Sequence, residues 1–284
     1  MLRLNYLENL NTLPINLTCL NFVVHNFKKR ILKIIRVVVR IIAFFIWAIS
    51  LSFSIFIILS AAYLLGRKDK ARQKIAHKIF RLFLKGTHFI MGIRIHWSGN
   101  APDEPSIVMG NHRSYLDAVV LPTSFPVVFV AKHETKAWPV IGWGATVIGT
   151  IWVKRDNKKS RTATRVAVKE RFDNGYGVVI FPEGTTNKKP ELLPYRKGIF
   201  YTCAENGFQI APAAIEYKDP NIAWVGKEWF IPHAFRHFGA KYIDTYVSFG
   251  PTFKNNDAEQ LIIDVRDWTQ NECNRLRKAI DESA

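Results

Sequence analysis

The sequence predicts an α/β protein in which a mixed, mostly buried sheet flanked by helices follows an N-terminal membrane-associated helical segment. Three observations predict it. Residues 41–65, IIAFFIWAISLSFSIFIILSAAYLL, run for 25 positions without a charge. Beyond residue 92, short apolar runs rich in β-branched and aromatic residues alternate with helical patterns, as strands covered on both faces do. The charge is also lopsided: of a formal +17, residues 1–100 hold 16 Lys and Arg against Glu8 and Asp69, and residues 101–284 hold 24 against 21. A basic excess confined to the part that carries the apolar run points to a membrane surface and away from nucleic acid.

Four segments follow. Residues 1–30 lack helical or strand periodicity and read as a poorly ordered leader. Residues 31–66 form the membrane segment. At 1.5 Å per residue its uncharged run makes a helix of about 37 Å against a hydrocarbon core of about 30 Å, so it spans with tilt or bends within one leaflet. It is too long and starts too late for a cleaved signal peptide. Lys28, Lys29, Arg30, Lys33, Arg36 and Arg40 precede the run, and Arg67, Lys68, Lys70, Arg72 and Lys74 follow it. Basic flanks on both sides leave the positive-inside rule without a winner and favour attachment from one side.

Residues 67–92 predict a basic amphipathic interfacial helix. Lys74, His77, Lys78, Arg81, Lys85 and His88 recur at steps of three and four, with Ile75, Ile79, Leu82, Phe83 and Ile90 on another face. Residues 93–284 form the globular domain. Strands are expected within 93–99, 106–110, 126–132, 146–154, 177–182, 209–217 and 245–253, and helices within 114–124, 160–175 and 195–207. A last helix over 257–280, capped by Asn256 or Asp257, closes the domain. Cys19, Cys203 and Cys273 show no Cys-x-x-Cys spacing, which argues against zinc or a disulfide framework and suits a reducing compartment.

Chemistry concentrates where strands end. In NHRSYLD, residues 111–117, His112 and Asp117 stand five apart at the end of an apolar strand. Inside one helix they would lie about 140° apart and not meet; with His112 in the turn, Asp117 can hold one ring nitrogen while the other serves as a base. In VVIFPEGTTN, residues 178–187, a second strand breaks into Glu183-Gly184-Thr185-Thr186, where Gly184 permits close backbone approach and consecutive amides suit an anionic or developing oxyanion group. Between them, GTIWVKRD offers Lys154 and Arg155 as a cationic clamp after a strand. His233 and His237 have the i, i+4 spacing of a zinc helix, yet Ala234 stands where a metalloprotease has its Glu, so no metal site is expected. No Gly-x-Ser-x-Gly signals a serine hydrolase.

Four motifs in order, NHRSYLD, GTIWVKR, FPEGT and IAPAAI, resemble those of the glycerolipid acyltransferases of the lysophosphatidic acid acyltransferase type. The resemblance spans about residues 90–255 and implies a glycerolipid acyltransferase-like fold. It implies His112 as general base, oriented by Asp117, for direct attack of a lysophospholipid hydroxyl on an acyl thioester. Arg155, Glu183, Gly184, Thr185 and Thr186 would bind the acceptor, with Lys132 and Arg196 as further sources of charge. The donor would be acyl-CoA or acyl carrier protein, with no metal or redox cofactor, and the enzyme would sit at the cytoplasmic face of a membrane, the inner membrane of a bacterium. Positioning by Asp117 would partly survive in an Asp117→Asn variant. In many members that acylate 1-acyl-sn-glycerol-3-phosphate an arginine follows Glu-Gly-Thr; here Thr186 stands there, which also fits acceptors without phosphate such as lyso-ornithine lipid. A noncatalytic membrane-tethered lipid-binding protein is the alternative of another class, distinguished by the absence of thioester turnover.

Overall fold

The computed structural model describes residues 17–66, 69–121, 125–138, 141–226 and 228–283. Helix α1 (Leu17–Leu64) and helix α2 (Asp69–Met91) precede the domain and pack against each other. Strands β1 (Ile93–Ser98), β2 (Ile107–Gly110), β3 (Val127–Lys132), β4 (Ile151–Val153), β5 (Gly177–Ile180), β6 (Ile210–Tyr217) and β7 (Ile243–Phe249) form one sheet in the order β1-β7-β6-β2-β5-β3-β4. Every neighbouring pair is parallel except β6 and β7, so the sheet is mixed, as expected.

Alternation along the strands divides the core into two layers. Val108, Val179, Ala213 and Ile215 face one layer with Val37 of α1, Met91 of α2, α3 (Asp117–Val120) and α7 (Phe230–His237). Ile107, Met109, Val178 and Ala214 face the other, with α5 (Lys158–Asp173), α6 (Gly198–Asn206) and α8 (Ala258–Glu282). Helix α4 (Ile141–Val147) lies between β3 and β4. Asp257 caps α8 by accepting from the amides of Glu259 and Gln260.

Several expectations shift. Helix α1 begins at Leu17 and takes in residues 17–30; residues 1–16 of the expected leader lie outside the described residues. Its periodicity is weak in sequence because apolar side chains occur all round it, with Phe22, Phe27 and Ile34 exposed. The expected strand over 146–154 shortens to 151–153, because Thr146 and Val147 finish α4 and Gly149, at φ +89°, turns the chain into β4. The expected helix over 114–124 becomes one turn starting at Asp117. The side chain of Asp117 accepts from the amides of Arg113 and Ser114, which holds those residues in a loop. Residues 122–124 lie outside the described residues.

The basic flank before the apolar run does structural work. Arg36 donates to the Gly239 carbonyl at 2.8 Å, and Arg40 to the carbonyls of Phe238, Ala240 and Lys241 at 2.6–2.8 Å. These bonds seat α1 on the loop after α7. Of the following flank, Arg67 and Lys68 lie outside the described residues.

On α2, Lys74, Lys78, Arg81 and Lys85 are exposed, but two expected polar-face residues turn inward. His88 Nε2 meets the Val119 carbonyl at 2.6 Å, and buried His77 packs on Tyr176 with ring centroids 5.4 Å apart. Burial, aided by the Arg81 charge, lowers the His77 pKa to about 4 from an ordinary 6.5. The unfolded chain therefore binds the proton first, so stability is full above about pH 6.5 and falls as the pH drops towards 4. The melting temperature of the full chain in neutral micelles should fall over that window, and His77→Phe should flatten the profile; an unaltered profile would refute the assignment.

Candidate active site

The site forms at the edge where parallel strands β2, β5, β3 and β4 end. Asn111, just beyond β2, is fully buried and grips β6, donating to the Ile215 carbonyl at 2.8 Å and accepting from the Ile215 amide at 2.7 Å. That clamp fixes the next residue, His112, in the turn. His112 Nδ1 lies 2.7 Å from Asp117 Oδ2, and the imidazole stacks on Phe181 at 4.2 Å between centroids, 10° from parallel. Asp117 is fully buried and its oxygens also accept from the Arg113 amide (2.6 Å), the Ser114 amide (2.9 Å) and the Tyr217 hydroxyl (2.7 Å). Two amides and a hydroxyl thus hold the Asp117 carboxylate in place against the imidazole, and the tautomer with its proton on Nδ1 satisfies that contact and leaves Nε2 as an acceptor.

The Glu183 turn locks onto the same loop. Glu183 Oε1 accepts from the His112 amide and Oε2 from the Leu193 amide, each at 2.9 Å, and the Asn187 amide donates to the His112 carbonyl at 2.8 Å. Burial pushes the Glu183 carboxyl above its ordinary value, opposed by those two amides. Glu183 thus accepts from the backbone through both oxygens and braces the His112 turn.

His112, Lys132, Arg155, Gly184, Thr185, Thr186 and Arg196 all line one cavity of about 1230 Å³. Arg155 is half-buried; burial and the neighbouring Arg196 guanidinium depress its pKa. Gly184 sits at φ +71°, which calls for glycine, and Arg196 crosses it so closely that a Cβ there would meet its Nε at 2.2 Å and make that side chain shift. Thr186 donates its hydroxyl to the Trp224 carbonyl, and Lys132 stands exposed with its Nζ 3.9 Å from Glu134. The rest of the wall includes Leu51 and Ile55 of α1, Ile79, Phe80 and Phe83 of α2, and Trp143. A basic and hydroxyl-bearing region therefore joins an apolar one beside an oriented imidazole, a layout for an amphiphile with a reactive hydroxyl.

Residues 92–216 match the family model described as Acyltransferase. The chain is 31% identical over 141 residues to the lyso-ornithine lipid O-acyltransferase of Pseudomonas aeruginosa, covering 48% of this chain and 54% of that protein. It is 31% identical over 137 residues to a 1-acyl-sn-glycerol-3-phosphate acyltransferase of Neisseria gonorrhoeae, with the same shares covered. The chain thus spans about half the length of these curated relatives. The crystal structure of the 1-acyl-sn-glycerophosphate acyltransferase PlsC of Thermotoga maritima shares the fold, with a TM-score of 0.58 at 17% identity over 84% of this chain and 98% of that one.

Three residues of this domain do structural work that their types alone did not signal. Arg113 is buried, donates to the carbonyls of Asn187 and Lys189, and meets Glu216 at 2.7 Å; Arg277 of α8 reaches the same Glu216 oxygen at 2.5 Å. Tyr217 completes the shell of Asp117. Arg113 lies inside the first motif, and Glu216 and Tyr217 directly follow the last, so position next to a motif was the available signal. The His233 and His237 rings lie 4.5 Å apart, tilted at 44°, within α7, with His233 bonded to the Tyr115 hydroxyl; among the described residues no three His, Cys, Asp or Glu stand together as a metal site.

Proposed function

We propose that the protein is a membrane-bound acyltransferase that moves a fatty acyl group from an acyl thioester to the free hydroxyl of a lysolipid. The observation that carries this is the His112–Asp117 pair on the wall of a cavity that is cationic in one part and apolar in another. His112 Nε2 takes the proton of the acceptor hydroxyl as its oxygen attacks the thioester carbonyl; the tetrahedral intermediate collapses with loss of the thiolate, which takes up the proton held by the imidazolium. Asp117 stabilises that imidazolium and fixes its tautomer. Helix α1 is long and apolar enough to cross a membrane, and it contributes to the cavity wall, so an acceptor can enter from the lipid phase. A thioester donor and the free thiols of Cys203 and Cys273 fit the cytoplasmic face.

The favoured acceptor is 1-acyl-sn-glycerol-3-phosphate, giving phosphatidic acid, because Arg196 beside Gly184 and Arg155, close enough to feel its charge, line the same cavity and suit a phosphate. Thr186 favours lyso-ornithine lipid as the second reading, since its hydroxyl is already engaged by Trp224 and supplies no charge. Both acceptors, offered side by side in the same micelles with acyl-CoA, decide between them. The phosphate acceptor should turn over faster, and Arg155→Ala should raise its KM at least tenfold. Turnover of lyso-ornithine lipid far above that of the phosphate acceptor, or an Arg155→Ala KM within twofold of the parent, would overturn the first reading.

A further inference from the structure

The cavity carries more positive charge than one acceptor phosphate uses. Besides Arg155 and Arg196, its wall holds Lys158, Arg161 and Arg165, spaced i, i+3 and i+7 so that they share one face of α5. Lys197 is occupied by Glu259 and Lys132 stands near Glu134, but Arg155, Lys158, Arg161, Arg165 and Arg196 have no carboxylate partner within ion-pair distance among the described residues. Arg161 donates one bond, at 2.7 Å, to the Arg155 carbonyl, which holds the two side by side. The first turn of α5 contains no acidic residue, so the positive end of a 16-residue helix adds to the same field. Unpaired like charges crowded on a concave wall repel one another and are relieved by a polyanion.

We propose that Lys158, Arg161 and Arg165 form the subsite for the nucleotide phosphates of a coenzyme A donor; the assignment rests on the acyl-transfer reading above. The sheet supplies the spacing. His112 follows β2 and the α5 row follows β4, and the order β2-β5-β3-β4 puts three strand spacings between them, roughly 14 Å at about 4.8 Å each. The pantetheine arm has about thirteen bonds between its sulfur and its first phosphorus, a reach of roughly 15 Å at the rise of an extended chain. A thioester beside His112 therefore delivers its phosphates to the row. The row lines the cavity while its side chains remain exposed, so it is open to a nucleotide whose thioester end lies beside His112.

The test uses the full chain in neutral micelles and the double variant Lys158→Ala/Arg165→Ala, which leaves the Arg161 bond to Arg155 intact. Calorimetry with adenosine 3′,5′-bisphosphate, a probe without acyl chain or thioester, should show binding to the parent that weakens at least tenfold in the double variant and with added salt. In the transfer assay the KM for acyl-CoA should rise tenfold or more, with the KM for the acceptor moving less than twofold. No binding of the probe to the parent, or equal binding to both proteins, overturns the subsite. A rise in KM for acyl carrier protein without one for acyl-CoA also overturns it, in favour of an acidic protein surface. Probe binding lost in the variant, together with no thioester turnover by the parent, would sink the acyl-transfer reading and leave the nucleotide site standing.

Discussion

Replacing His112 with alanine is expected to lower the rate of acyl transfer by about 10²–10⁴-fold, the range that a positioned general base contributes. The imidazole touches Phe181 through its face and Asp117 through Nδ1, whereas the main-chain bonds of the turn, from the His112 amide to Glu183 and from Asn187 to the His112 carbonyl, survive the change. Folding and micelle association should therefore persist, and the loss should appear in kcat with little change in the acceptor KM. The partner substitution is harsher than the spacing alone suggests. Asp117 Oδ2 faces His112 and two amides while Oδ1 faces the Tyr217 hydroxyl, so an Asp117→Asn side chain either turns its NH₂ against the amides or makes Tyr217 accept in place of donating, and in both cases loses the negative charge that stabilises the imidazolium. Its loss of rate should approach that of His112→Ala and be accompanied by a lower melting temperature. Near-parental kcat in His112→Ala would remove the base assignment.

The second large effect is on stability. Glu216 is buried and accepts from both Arg113 and Arg277, and Arg113 is itself buried, with its Nε lacking a partner. Glu216→Ala leaves two guanidinium groups against each other and the buried one uncompensated. Breaking a buried pair by removing one partner costs about 3–5 kcal/mol. Because Arg113 also ties the His112 loop to the carbonyls of Asn187 and Lys189, the same variant should lose activity through the site's geometry. Chemical denaturation should place the loss in the midpoint with the slope unchanged. Glu216→Gln, which keeps an acceptor oxygen, should recover part of it. A Glu216→Ala midpoint equal to that of the parent would refute the network's role.

The layered α/β class, most strand positions, α5, α6 and the capped α8 were legible in the sequence. Continuous Val and Ile runs bounded by Gly, Pro and Asn permit little else, and a 25-residue uncharged run reads the same in any fold. The local grammar of strand ends also marked His112, Asp117, Arg155 and Gly184, because polar residues directly after buried strands emerge at one edge of a parallel sheet. What lay beyond it depended on partners distant in sequence. The fate of Glu183 was decided by the amides of His112 and Leu193, that of Arg36 and Arg40 by the carbonyls after α7, and that of His77 by Tyr176. A side chain's type states which bonds it can make, but only the tertiary structure decides which groups reach it first. The strand order did likewise for the cations: it carried β4 and the start of α5 to the edge on which β2 presents His112, turning charges more than forty residues apart into one wall.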